Sequence, residues 1–223
     1  MTPHGRFITI EGGDGAGKTT QALALVQALK HAAISVVATR EPGGTPGADA
    51  IRSLLLAGDE HRWDAETEVL LFTAARRDLV RRVIAPALAS EAVVVCDRFI
   101  DSTTAYQGAG RGVSRVLLAA AQGIAIGDLR PDLTLILDVP PEVAAERTAR
   151  RRELNRFDRM NGGFHERVRA AFKAIADMHP GRCVLIDAAG PAWAVHRQIL
   201  STVSRRLGIA LTPVIHPDPE EDK

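Results

Sequence analysis

The chain has 223 residues, 46% of them hydrophobic and 25% charged, with a net charge of +1 at neutral pH. That length supplies one sizeable core but is short for two full domains, and the balanced charge gives no field for a polyanion, so neither nucleic acid nor membrane is expected as a partner. No apolar run approaches a membrane span, and Glu11 cuts the first apolar stretch too early for a secretory segment, so a cytoplasmic protein is expected.

The first element is a strand, "RFITI" at 6–10. It runs into "EGGDGAGKTTQ" at 11–21, which fits G-x-x-x-x-G-K-[ST] at Gly12, Gly17, Lys18 and Thr19, and a helix follows over 19–32. Strand before and helix after is the context in which this pattern means a phosphate-binding loop. Its glycines let successive N–H groups and the helix N-terminus face an anion. Lys18 adds charge near the β and γ phosphates, and the Thr19 hydroxyl suits Mg²⁺. Gly13, Gly15, Ala16 and Thr20 complete the donor-phosphate set. Asp14 is out of character there, because a carboxylate repels phosphate.

A second strand, "ISVVAT" at 34–39, leads into "TREPGGT" and a helix over 47–57; a longer helix follows over 64–88. "AVVVCD" at 92–97 is the third strand, and Asp97 and Arg98 emerge at its end. A helix over 113–126, a strand "LTLILD" at 133–138, a strand "CVLID" at 183–187 and a helix over 191–207 complete the pattern, with Pro141 and Pro191 marking helix starts. Short, almost uninterrupted apolar strands alternating with amphipathic helices imply a parallel sheet covered on both faces. Ligands of such sheets bind at the carboxyl ends of the strands, which makes Arg98 a candidate anion fork and Arg40 and Glu41 candidates beside it, although a strand-end arginine can also serve a surface ion pair. Phe72 and Arg76 share one helix face; Phe72 taken alone fits a core. "ERTARRRELNRFDR" at 146–159 reads either as a solvated face or as a cation source. Cys96 and Cys183 sit in apolar runs without metal spacing and are expected as buried thiols; Trp63 and Trp193 are expected in the core. A single domain is expected over 1–212, with the acidic, Pro-rich 213–223 as a disordered tail.

The loop, "TREPGGT", "LLFTAARR", "DRFIDSTTAYQGAGRG" and the arginine run, in this order between about 6 and 207, resemble the thymidylate kinase family, which phosphorylates dTMP to dTDP with ATP and Mg²⁺ in dTTP biosynthesis. The resemblance implies the P-loop nucleoside monophosphate kinase fold: an α/β domain with a five-stranded parallel sheet of order 2-3-1-4-5, flanked by helices, with a short lid at about 147–160, in a homodimer. It implies that Asp14 turns from the donor phosphates to the 3′-hydroxyl of dTMP. Arg98 and Arg52 would hold the acceptor phosphate, Phe72 stack on thymine, Arg76 bond a base carbonyl, Gln107 read the imide edge and Tyr106 crowd a 2′-hydroxyl. Ser102 and Thr103 are further substrate candidates, with loop capping as the alternative. Asp97 would act through the metal's water shell, and Glu41 near it.

Some family members carry an arginine directly after the acid; here that position is Gly15. The catalytic cation is therefore expected from the lid, where Arg150, Arg151, Arg152 and Arg156 stand, Arg151 favoured and Arg156 next, with Arg147 on the adenine face. A GTPase switch lacks its guanine-reading N-K-x-D or T-K-x-D segment. The rival readings are a kinase of another nucleoside monophosphate and a non-catalytic nucleotide-binding module.

Overall fold

The computed structural model describes residues 5–149 and 156–215. Five parallel strands form one sheet in the order β2-β3-β1-β4-β5. They are β1 (Phe7–Gly12), β2 (Val36–Arg40), β3 (Val93–Asp97), β4 (Leu133–Asp138) and β5 (Cys183–Asp187). Side chains alternate across a strand. Ile8, Ile10, Val93, Val95, Leu133 and Leu135 therefore enter one core with α1 (Lys18–His31) and α9 (Ala192–Leu207), where Leu25, Leu29 and Ile199 are fully buried. Phe7, Val94 and Cys96 point the other way, onto Leu79, Ile84 and Phe99. Both faces being covered is why the strands carry apolar residues at nearly every position; each fully buried Phe or Ile contributes about 1.5–3 kcal/mol. The same alternation places Glu11 on the face of Phe7 and Thr9, and Thr9 pairs its hydroxyl with Thr134 at 2.8 Å in mid-sheet.

The other helices are α2 (Pro46–Leu56), α3 (Ala65–Leu79), α4 (Ala85–Ala89), α5 (Ile100–Thr103), α6 (Arg115–Ile126), α7 (Pro141–Ala149) and α8 (Gly162–Met178). Caps set their starts: Thr45 accepts from Ala48 N–H, Asp64 from the N–H groups of Glu66 and Thr67, Ser114 from Leu117 and Asn161 from Phe164. The helix expected over 64–88 is interrupted by a π-helical turn, Val80–Ile84. Pro86 cannot donate to the carbonyl four residues back, so the regular ladder is lost there. A second π-helical stretch, Thr104–Gly110, continues α5. This stretch and α8 were not expected as elements, yet Phe164, Val168, Phe172 and Ile175 of α8 recur at helical spacing and are buried.

Both cysteines are buried and free. Trp63 and Trp193 are half-buried, not core residues, and the Trp63 indole donates to Leu54 O at 3.1 Å. The packed chain continues past 212: Leu211 and Val214 lie on the α1/α9 core, and Val214 N–H donates to His196 Nε2 at 3.3 Å. The rest of the expected tail, 216–223, lies outside the described residues, as does 150–155 of the expected lid. Among the described residues, no helix is long and apolar enough to cross a membrane.

Candidate active site

The carboxyl ends of β1, β2 and β3 open on a cavity of about 480 Å³. Its floor is the loop between β1 and α1. Gly12 takes φ +134°, and a Cβ there would stand 2.4 Å from Leu137 O. Gly17, at φ +86°, caps α1 with no side-chain hydrogen bond, so the N–H groups of the first turn remain directed at the loop. Lys18 is buried and donates to Gly13 O at 2.5 Å. Burial, with Arg98 nearby, lowers its ammonium to about 8. Thr20, at the exposed start of α1, also lines the cavity.

Gly15 explains the missing loop arginine. It adopts φ +79°, and a Cβ would meet the Ala144 carbonyl of α7 at 2.4 Å. No side chain larger than hydrogen fits between loop and helix there.

Asp14 is turned from the phosphate side into an acid–base cluster. Its Oδ1 accepts from Arg98 Nη2 at 2.8 Å and its Oδ2 from Tyr106 OH at 2.7 Å. Arg98 stands in the left-handed region at φ +70°, and it also donates to Gly12 O and Ser102 Oγ, both at 3.0 Å. Its guanidinium lies over the Tyr106 ring, 4.9 Å from the centroid. Glu11 pins the turn beneath: it accepts from the N–H groups of Phe99 and Ser102 and from Ser102 Oγ at 2.6 Å. Ser102 therefore does more than cap the loop, since it joins Glu11 to Arg98.

Thr19 and Asp97 meet although 78 positions apart, Oγ1 donating to Oδ2 at 2.6 Å. Among the described residues no group of three or more His, Cys, Asp or Glu could hold a metal. A hydroxyl and one carboxylate at the edge of a phosphate loop do fit Mg²⁺, which keeps its waters and takes most other oxygens from phosphate.

The opposite wall carries Phe72, Phe157, Arg76 and Gln107. Phe72 is half-buried and packs at 6.2 Å on Phe157. Arg76 is almost fully buried, held by Glu41 through Nε at 2.8 Å and Nη2 at 2.6 Å, with Phe99 O and Thr103 Oγ1 also accepting from Nη2. Glu41 thus spends both oxygens on Arg76, while its backbone N–H donates to Asp97 O at 2.9 Å. Burial raises its carboxyl against the pull of Arg76. Arg52 donates to Pro42 O at 2.8 Å on the cavity rim.

Two of the candidate lid arginines are described. Arg147 donates to three carbonyls, Ala188, Ala189 and Gly190, ahead of α9. Arg156, expected beside the transferred group, is instead buried, donating to Glu68 Oε1 at 2.7 Å and Leu55 O at 2.5 Å. Arg150, Arg151 and Arg152 lie outside the described residues. Sequence reasoning missed Glu11, Glu68 and Phe157. Phe157 had a signal, an aromatic directly after the arginine run; the two acids had none without their partners.

The chain matches the family model "Thymidylate kinase" over residues 10–199. A thymidylate kinase of Caulobacter vibrioides is 51% identical over 205 residues, covering 92% of this chain and 99% of that protein. One from a Bradyrhizobium strain is 54% identical over 208 residues, covering 89% and 92%. The crystal structure of thymidylate kinase from Ehrlichia chaffeensis superposes with a TM-score of 0.72 at 36% identity, covering 90% of this chain and all (100%) of that one.

Proposed function

The chain belongs to the thymidylate kinase family and phosphorylates dTMP to dTDP with ATP, a step of nucleotide biosynthesis; from that premise we propose the following roles for its residues. The observation that carries them is the orientation of Asp14, whose two carboxylate oxygens face Arg98 and Tyr106 in the cavity. Gly12 to Thr20 with Lys18 cradle the ATP phosphates. Asp14 accepts from the 3′-hydroxyl of dTMP, and Arg98 and Arg52 fork onto its phosphate. Phe72 stacks on thymine, Arg76 and Gln107 contact its polar edge, and Tyr106 stands where a 2′-hydroxyl would come. Ser102 and Thr103 steady the two arginines from behind. Arg147, its guanidinium held by three carbonyls, offers a flat face to adenine.

Thr19 would hold Mg²⁺ directly and Asp97 through water, and the ion would supply charge neutralisation on the donor phosphates. Phosphoryl transfer needs positioning and charge compensation more than covalent chemistry, so no enzyme-bound intermediate enters this reading. Arg151 is the cation for the migrating group. A coupled assay with ATP and dTMP, dUMP, dCMP, dGMP or AMP tests the assignment: dTMP is expected to turn over fastest, and ATP binding with no product from any acceptor would overturn it.

The assembly is a cytoplasmic homodimer. Support comes from α3 and α6, which pack side by side through Val69, Leu118 and Ala121 and leave Leu70, Val116 and Ile124 at 64%, 81% and 70% exposure. Sedimentation of Ile124→Glu is expected to give a monomer where the unaltered chain gives a dimer.

A further inference from the structure

One carboxylate behind the wall of the acceptor cavity has no part in the roles above. Glu68 of α3 is fully buried. Arg156 Nη1 reaches its Oε1 at 2.7 Å, and Arg111 Nη2 stands 3.5 Å from the same oxygen. These two guanidinium groups already match its charge. Its other oxygen does something separate: Oε2 accepts from Gln107 Nε2 at 3.0 Å.

A glutamine amide presents a donor at one end and an acceptor at the other, nearly equal in size, so packing alone does not choose between its two orientations. A carboxylate flanked by two arginines only accepts, and it therefore chooses. Nε2 turns to Glu68, and Oε1 is the group that Gln107 has left for the cavity it lines. Arg76, on the same wall, has a buried Nη1 with no partner, and a guanidinium only donates. The wall thus offers one donor and one acceptor. Thymine and uracil match this with an acceptor at O4 and a donor at N3–H. Cytosine has the reverse, an amino group at position 4 and a bare N3.

We propose that Glu68 is a positioning residue for pyrimidine selection: by holding the Gln107 amide with its carbonyl toward the base, it admits the imide bases and refuses cytosine. The proposal rests on the reading of Gln107 as a base contact, and its test separates the two. In Glu68→Gln, the new side chain can accept from Arg156 while donating to Gln107, which turns the Gln107 amide around. The ratio of kcat/KM for dTMP to that for dCMP is expected to fall about tenfold or more. Gln107→Met is expected to lower the same ratio, and adding Glu68→Gln to it is expected to change the ratio little further, because the carboxylate then has no amide to orient.

Glu68→Gln lowering both substrates by one factor, or acting in full on the Gln107→Met background, overturns the proposal and leaves Glu68 a purely structural anion. Gln107→Met leaving the ratio intact overturns the base-contact reading itself. Since a buried Glu68→Gln can fail to fold, a neutron structure of the unaltered enzyme with dTMP decides independently: deuterium on the Gln107 atom facing Glu68 supports the proposal, and deuterium on the atom facing the base refutes it.

Discussion

Arg98 and Asp14, 84 positions apart in the chain, meet at 2.8 Å with the Tyr106 hydroxyl on the second carboxylate oxygen. The loop's acid is thereby neutralised by a residue from the end of β3, and its charge is directed away from the donor phosphates. Asp14→Asn keeps the shape but loses the charge-assisted bonds, each worth about 1.5–3 kcal/mol. Steady-state kinetics are expected to show kcat/KM for dTMP reduced by roughly 10–100-fold, with ATP binding unaltered. Equal losses toward both nucleotides would place Asp14 on the donor side instead.

The hydrogen bond between Thr19 and Asp97 predicts a metal phenotype for both. Thr19→Val and Asp97→Asn are each expected to raise the Mg²⁺ concentration for half-maximal rate by about tenfold or more, while dTMP binding measured without metal stays as it was. A Mg²⁺ titration of each variant checks this; an unshifted midpoint removes the residue from the metal site.

Glu11 gives a pH signature in stability. Burial, reinforced by Asp101, pushes its carboxyl from the ordinary 4.5 up to about 8, against the pull of Ser102, Arg98 and the Phe99 amide. Between those values the native protein keeps a proton that the unfolded chain has released, so the native state binds more protons and stability declines as pH rises from about 4.5 to about 8. Below that window the penalty is absent, and above it the penalty is complete. Glu11→Gln has no such titration. Urea unfolding at several pH values is therefore expected to show the wild type losing stability relative to the variant across the window and running parallel to it outside.

The two leading lid arginines are expected to fail in different ways. Arg156→Ala strips a buried carboxylate of its closest cation, which costs about 3–5 kcal/mol of folding stability, read by denaturant titration. Arg151→Ala is expected to leave stability and dTMP binding intact and to lower turnover by about 10³-fold. A stable, inactive Arg156→Ala would return that residue to the phosphoryl group.

The parallel sheet and the donor loop were legible because each rests on local pattern: strands apolar on both faces, and glycines at fixed spacing between strand and helix; the strand order was legible only through the resemblance. The cavity lining was legible at Arg98 through its position at a strand end, and at Phe72 and Gln107 through the resemblance. The anions behind these residues were not. Glu41 and Arg76 are 35 positions apart, Glu68 and Gln107 39, Glu68 and Arg156 88, and no periodicity announces a buried ion pair across such distances. The arginine run shows the difficulty most plainly. Arg156 carries the same charge as the rest of the run, yet it is drawn into the interior because Phe157 packs beside it on Tyr106 and Phe72, and charge density alone does not tell which arginine of a run will be buried.

Asp14 and Lys18 hang from a single bend of backbone whose glycines are wedged against Leu137 and Ala144. On the proposed roles of these two residues, the acceptor and the donor are measured by one ruler that cannot be stretched at one end only. The same rigidity favours inhibitors long enough to touch both ends, because a resistant substitution there would have to spoil the catalyst along with the grip on the drug.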